Sequence, residues 1–467
     1  MSKQLVWFRN DLRTHDNPAL FNACDGGHEV IAIYIATPKQ WKKQDDAEVK
    51  QDFWRRNLEI LSSTLSALNC ELRYFEVDDY QAIPILIKSL CLHWKIDNLF
   101  FNNEYPVYEQ KRDHAVVNEL VTETAVSVSR YDDQLLVAPK RIRSQSGEPY
   151  KVFTPFSKQA RLALPYVMTV LPVPEKQKTS SYNDHPKQKA LEQLTWPNIP
   201  NQLQSYWKAG EDNAYSRLVR FCQDDITRYK QARDIPALRA TSKVSTYLAS
   251  GVLSIRQCWL ASEQYCEPNE GVTVWQTELL WREFYKHILI DYPHVSKHVP
   301  WKHQTEGIPW RNDAKELVAW QQGNTGYPLI DAAMKQLLQC GWMHNRLRMI
   351  VAMFLTKHLL IDWRLGEQWF MQHLIDGDLS ANNGGWQWSA STGTDSVPYF
   401  RIFNPVTQSE RFDPKGEFIK QYLPQLSHLS AKDIHNPKPE QRSDYVMPIV
   451  DLKFGRERAL NAFKSLS

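Results

Sequence analysis

The sequence predicts an α/β domain on a doubly wound parallel sheet, a long connection, and a larger all-helical domain. Three observations carry this. Over residues 1–135, short apolar β-rich runs alternate with longer helix-like stretches. A polar, proline-rich stretch then interrupts both patterns, within a connection placed at residues 136–210. Over residues 211–467 helix patterns dominate and strand patterns nearly vanish.

The first runs are Leu5–Phe8, Val30–Thr37, Leu72–Val77 and Asn98–Asn102, each short and rich in strand-forming side chains. Glu48–Leu68 and Tyr80–His93 lie between them and have helical spacing. Strands separated by helices pair in parallel, and such sheets take ligands at their carboxyl ends. No GxGxxG follows the first strand, so a nicotinamide-dinucleotide site has no support. From Leu164 to Ser205, Pro165, Pro172, Pro174, Pro186, Pro197 and Pro200 are interleaved with Lys, Gln and Ser, as in an interdomain connection.

A chain of 467 residues has room for two or three domains. Its net charge of +3 excludes a global basic field, so any nucleic-acid surface must gather its charge locally. The 7 cysteines are scattered with no CxxC pair, which predicts free thiols in a reducing compartment and no zinc site. The start leads into a strand and not a signal sequence, and no apolar run reaches membrane-spanning length. The expectation is a soluble, cytoplasmic monomer with no metal and no membrane partner. The 17 tryptophans, dense after Trp259, suit an aromatic cofactor or stacked bases, and equally a Trp-rich core.

The stretch Asp376–Asp395 is by composition a poor helix and a poor strand. Glycine and asparagine loosen its backbone, yet Trp386 and Trp388 sit inside it. That suggests a backbone closing on a flat, polar-edged ligand, or a turn with two core aromatics. In Val274–Asp291, a helix places Glu278, Trp281, Arg282 and Tyr285 on one face, one turn after Trp275. A carboxylate and a guanidinium beside large aromatics suit a pocket that stacks and hydrogen-bonds a base; the plainer alternative is a solvated Glu278–Arg282 pair. After Gly341, a helix puts Trp342, Asn345 and Met349 on one face with Arg346 flanking. Arg346 and Arg348 point to different sides, so that one suits a phosphate and the other an internal carboxylate. Thr241, Ser242, Lys243, Val244 and Ser245 read as a hydroxyl-rich helix start.

Several long segments together resemble the DNA photolyase/cryptochrome family, in particular its class I bacterial photolyases for cyclobutane pyrimidine dimers. They are Leu5-Val6-Trp7-Phe8-Arg9-Asn10-Asp11-Leu12-Arg13, Lys151-Val152-Phe153-Thr154-Pro155-Phe156, Trp281-Arg282-Glu283-Phe284-Tyr285, Gly326-Tyr327-Pro328, Trp342-Met343-His344-Asn345-Arg346, the Asp376 stretch and Tyr399-Phe400-Arg401-Ile402-Phe403-Asn404-Pro405. The resemblance implies a U-shaped flavin adenine dinucleotide (FAD) in the helical domain. Its contacts would be Tyr229, Thr241–Ser245, Trp275, Arg282, Asn345, Arg348, Asp376, Gly377, Asp378 and Asn382, with Asn382 facing flavin N5.

It also implies a lesion pocket of Glu278, Asn345 and Met349, framed by Trp281 and Trp388. UV-damaged DNA would meet Arg233, Arg282, Tyr285, Arg346, Arg401 and Gln408. The implied reaction is light-driven repair: an electron passes from excited reduced flavin to a flipped-out dimer, the ring splits, and the electron returns. Trp386, Trp363 and Trp310, running outward, would serve flavin photoreduction. Relatives acting on the (6-4) photoproduct carry histidines where this chain has Asn345 and Met349. Folate-binding relatives carry Asn-Glu where it has Tyr108-Glu109, so the implied antenna is methenyltetrahydrofolate with one departure, a deazaflavin or an empty site being the alternatives. A cryptochrome-type blue-light photoreceptor is the competing function.

Overall fold

A computed structural model describes residues 2–179 and 182–466. Five parallel strands, β1 (Lys3–Phe8), β2 (Glu29–Ala36), β3 (Glu71–Glu76), β4 (Asn98–Asn102) and β5 (Ser127–Tyr131), pair in the order β3-β2-β1-β4-β5. Alternate residues face opposite layers. Val6, Phe8, Val30 and Ala32 pack with Phe53 and Leu58 of the Glu48–Ala67 helix. Leu5, Trp7, Ile31 and Ile33 pack with Leu86 and Leu90 of Ile83–Trp94, and with Val116 and Leu120 of Val107–Glu123. Helices on both faces make the sheet doubly wound, as the alternation predicts. The first core continues through Tyr247, Trp275 and Leu280, welding the sheet layer to the helical region.

β5 and the Val107–Glu123 helix are among the elements that the sequence reading does not name. β5 is a largely polar edge strand, Ser-Val-Ser-Arg-Tyr, with no buried residue. The Val107–Glu123 helix buries Glu109, Arg112 and Asp113 beside Val116 and Leu120, which blurs its apolar stripe. The described residues of the Leu164–Ser205 stretch hold two short helical segments, Leu191–Gln193 and Asn201–Ser205. It lies along the sheet edge: Lys189 bridges to Tyr74 of β3, and Arg73 donates to the Tyr182 carbonyl. The connection therefore covers an edge strand that would otherwise offer unpaired backbone groups.

After β5 no strand follows among the described residues. The Asp376–Asp395 stretch corrects the sequence reading, because Leu379–Ala390 is a helix. Asp378 caps it by accepting from the Ala381 N–H at 3.0 Å, and Ser391 ends it in a left-handed conformation. Gly384 answers packing: a Cβ there would lie 2.2 Å from the Tyr285 ring. Thr241–Val244 is a loop, with Lys243 at φ 54°, and the helix Ser245–Ala249 starts at the last residue of the hydroxyl-rich run, where the sequence places a helix start. Among the described residues no helix is long and apolar enough to cross a membrane.

Candidate functional site

A cavity of about 490 Å³ opens among the helices. One wall is the Glu270–Asp291 helix, capped by Asn269, which presents Trp275, Glu278, Trp281, Arg282 and Tyr285. A second is the Asn345–Met353 helix. The preceding helix stops at Gly341, whose φ of 63° suits glycine, and His344 caps the new one. It brings Asn345, Arg346, Arg348 and Met349 to the cavity. The Leu379–Ala390 helix supplies Asn382, Gly385, Trp386, Trp388 and Ser389. Tyr229, Arg233, the Thr241–Ser245 loop and Asp376, Gly377 and Asp378 complete the lining. Every residue expected at the flavin and the lesion, the outer tryptophans and the antenna pair aside, thus faces one space. Arg401 is exposed and Gln408 half-buried, both outside the lining.

Charge is placed with care in this wall. Arg348 Nη2 donates to both Asp376 oxygens, at 3.0 and 2.8 Å. Arg346 points the other way, donating to Asp234 at 2.8 Å. The two arginines thus take different partners, and both rest on carboxylates, whereas the sequence reading gives one of them a phosphate. Burial would raise the Asp378 carboxyl, but the Lys286 ammonium at 2.8 Å and the Arg282 guanidinium outweigh it and hold it well below the usual range. Asn382 donates its amide to the Glu367 carbonyl at 2.9 Å, which leaves its Oδ1 as the acceptor for a ligand. Glu278 accepts from Arg233 at 2.5 Å.

The aromatic wall is braced from behind. Phe153 stacks on Trp281 at 3.7 Å between centroids and 8° between planes, leaving the other indole face for a planar ligand. Phe153 is itself held by its N–H to Asp395 Oδ2 at 3.0 Å. The end of the Asp376 stretch thus fixes Trp281 from across the fold. Sequence reasoning assigned no role to Phe153, Asp234 or Glu367. For Phe153 the signal was its place in a quoted segment; the other two carried none.

Residues 4–177 match the family model described as DNA photolyase, and residues 275–465 match the FAD binding domain of DNA photolyase. Deoxyribodipyrimidine photo-lyase of Vibrio cholerae is 44% identical, covering 99% of both chains. That of Escherichia coli is 42% identical, over 100% of this chain and 99% of the relative. The chain belongs to the DNA photolyase family. The crystal structure of a bacterial class III photolyase from Agrobacterium tumefaciens superposes with a TM-score of 0.91 at 33% identity, covering 100% of this chain and 98% of that one.

The donor set of the photolyase cavity fits FAD. Trp386 Nε1 is buried with no protein partner, Asn382 Oδ1 is free to accept, and Gly385 leaves open space where a Cβ would stand. Trp386 and Trp363 are both buried, 2% and 1% exposed, and Trp310 is half-buried against Phe463. Trp386 rests on Gly366, one turn along the helix that Trp363 begins. The Arg311 N–H donates to the Leu360 carbonyl at 2.8 Å, setting the Trp310 segment beside the start of that helix. Trp320, fully buried, packs edge-on to Trp386 at 6.0 Å and was not foreseen.

A second cavity, about 170 Å³, lies at the carboxyl ends of the strands, between the sheet and the helical region. Arg9 follows β1 and pairs with Asp113 at 3.1 Å, while Arg112 pairs with Glu104 at 2.7 Å. Glu109 and Tyr108 both line this cavity, Glu109 buried and Tyr108 47% exposed. Glu109 Oε1 accepts from Gln44 and Tyr80, but Oε2 has no partner. Nor do the buried Trp7 Nε1, Trp54 Nε1 and Arg9 Nε around it. Burial, reinforced by Glu104, pushes the Glu109 carboxyl up. Lys50 Nζ reaches across to the Gly377 carbonyl at 2.7 Å, so one loop walls both cavities.

Proposed function

We propose that this chain repairs cyclobutane pyrimidine dimers in UV-damaged DNA, using light absorbed by FAD in the large cavity. One observation carries the reading: Glu278, Asn345 and Met349 share a single space with Asn382, Arg348, Asp376 and Trp386. Bound and reduced, FAD would supply on blue-light excitation the electron that opens the cyclobutane ring. The Arg348–Asp376 pair and Asn382 Oδ1 would hold and orient the flavin ring. The Thr241–Ser245 loop and Trp275 would also hold the cofactor. Photolyases as a class act on bases turned out of the duplex, and we adopt that step for this chain.

Trp281 and Trp388 flank the extruded dimer, and the Phe153 stack keeps Trp281 from collapsing into the emptied space. Glu278 accepts from an N–H of the base edge. Asn345 offers an amide to the same edge, and Met349 an adaptable apolar contact. Trp386, Trp363 and Trp310 carry reducing equivalents inward from the surface. Arg233, Arg282, Arg346, Arg401, Tyr285 and Gln408 meet the DNA.

In this reading residues 1–135 hold the antenna, 136–210 connect and cover the sheet edge, and 211–467 bind FAD and DNA. The unpartnered Glu109 Oε2 asks for an N–H donor at a ring edge, which supports methenyltetrahydrofolate as the antenna, with Tyr108 at the rim. The free thiols support a reducing compartment, the cytoplasm, and we take the working unit to be a monomer. The test is dimer content in UV-irradiated duplex incubated with reduced holoprotein. Dimers should disappear in blue light and persist in the dark; equal persistence in both would end the proposal.

A further inference from the structure

A charge ladder runs along one rim of the large cavity. Glu278 Oε1 accepts from Arg233 Nη1 at 2.5 Å. Arg233 Nε lies 3.8 Å from Asp234 Oδ1. The same Asp234 oxygen accepts from Arg346 Nη2 at 2.8 Å and Nε at 3.2 Å. Two guanidiniums alternate with two carboxylates, so the rim is neutral as it stands. All four side chains are partly exposed, between 18% and 34%. An approaching phosphate therefore meets arginines that are already occupied. Glu278 lines the cavity, whereas Asp234 lies outside its lining.

We propose that Asp234 is a specificity-determining residue that makes phosphate capture conditional on a base filling the cavity. The proposal rests on the DNA-repair reading above. A base edge in the cavity presents N–H donors to Glu278 and draws it from Arg233. Arg233 then needs to close only the 3.8 Å gap to engage Asp234. Sharing that carboxylate loosens Arg346, whose guanidinium becomes available to a phosphate. Undamaged duplex puts no base in the cavity, so Arg346 stays on Asp234. Partly exposed ion pairs are weak enough to exchange partners in this way.

The test is binding in the dark of the flavin-loaded protein to a duplex carrying one thymine dimer and to the same duplex undamaged. Fluorescence anisotropy follows it from about 50 to about 200 mM salt. In the wild-type chain the log–log salt slope should be steeper for the damaged duplex by about 0.9, one phosphate, which is roughly a three- to fourfold extra loss of affinity over that range. Asp234→Asn frees Arg346 permanently. Undamaged duplex should then bind severalfold tighter at low salt, its slope should steepen by about 0.9, and the difference between duplexes should vanish. Asp234→Glu should restore the difference. Glu278→Gln, which sends Arg233 to Asp234, should steepen the undamaged slope in the same way. Equal slopes in the wild-type chain, or a difference that survives in Asp234→Asn, overturns the proposal. Repair assayed on the same preparations separates the two levels: repair with equal slopes removes the relay alone, while no repair and no preference for damage removes the function beneath it too.

Discussion

His344 ties the stability of the Asn345–Met353 helix to pH. Its Nδ1 accepts from the Arg346 N–H at 3.2 Å and caps the helix that carries Asn345, Arg346, Arg348 and Met349. Its Nε2 is buried without a partner. Burial, the largest effect, pushes the imidazole down from 6.5 to about 4, and protonating Nδ1 would also remove the cap. The unfolded chain takes up this proton near pH 6.5, the folded chain only near the depressed value. Between the two the unfolded state binds more protons, so stability is full above about pH 6.5 and falls as the pH drops towards 4. The whole difference is about 3 kcal/mol, of which about 2 kcal/mol is lost by about pH 5. His344→Asn keeps a capping acceptor without a titrating group. The wild-type minus variant difference in unfolding free energy should therefore shrink by about 2 kcal/mol between about pH 7.5 and about pH 5. Histidine-selective carbon NMR, with His344→Asn giving the assignment, reads the group directly: its signal should not titrate above about pH 5. A His344 signal with its midpoint near 6.5 refutes the reasoning.

Other outcomes test the remaining parts of the site. Glu278→Ala should keep its flavin and lose repair yield severalfold; an unchanged yield takes Glu278 out of its role. Trp310→Phe should slow photoreduction of oxidised flavin while pre-reduced protein repairs normally, as transient absorption would record; a normal rate means the outward chain is misassigned. Gly384→Ala drives a Cβ to 2.2 Å from the Tyr285 ring. It should cost about 1–3 kcal/mol of stability and weaken binding of damaged DNA, so a variant with wild-type melting contradicts the close approach. Phe153→Ala removes the stack behind Trp281 and should cost about 3 kcal/mol while raising the dissociation constant for damaged duplex more than for undamaged.

Where sequence pattern and local physics agree, the fold is legible. β1 to β4 fall within a residue or two of their apolar runs, and the Glu270–Asp291 helix presents the face its spacing predicts. β5 is hidden because an edge strand needs no apolar face, and the Leu379–Ala390 helix because tertiary packing overrides its weak propensity. Gly384 of that helix and Gly366 of the Trp363–His373 helix make room for the rings of Tyr285 and Trp386, contacts between residues distant in sequence that no local window contains. The connection at Leu164–Ser205 reads as a linker from its prolines, yet its work is to shield β3. Within the site, spacing groups Glu278 with Trp281 and Asn345 with Met349, and the resemblance joins the two groups. Asp234 stays invisible because a carboxylate beside Arg233 reads as ordinary surface until Arg346 folds onto it.

The central claim is a light-driven chemical change in DNA. Its most direct test is recovery of intact thymines from an oligonucleotide with one defined cyclobutane dimer, using pre-reduced, flavin-loaded protein. Separation of dimer and repaired strand by chromatography gives the yield in blue light and in darkness. The account predicts multiple turnovers in light and none in the dark. Flavin bound and reduced, damaged DNA bound, and no thymine recovered in light would contradict it.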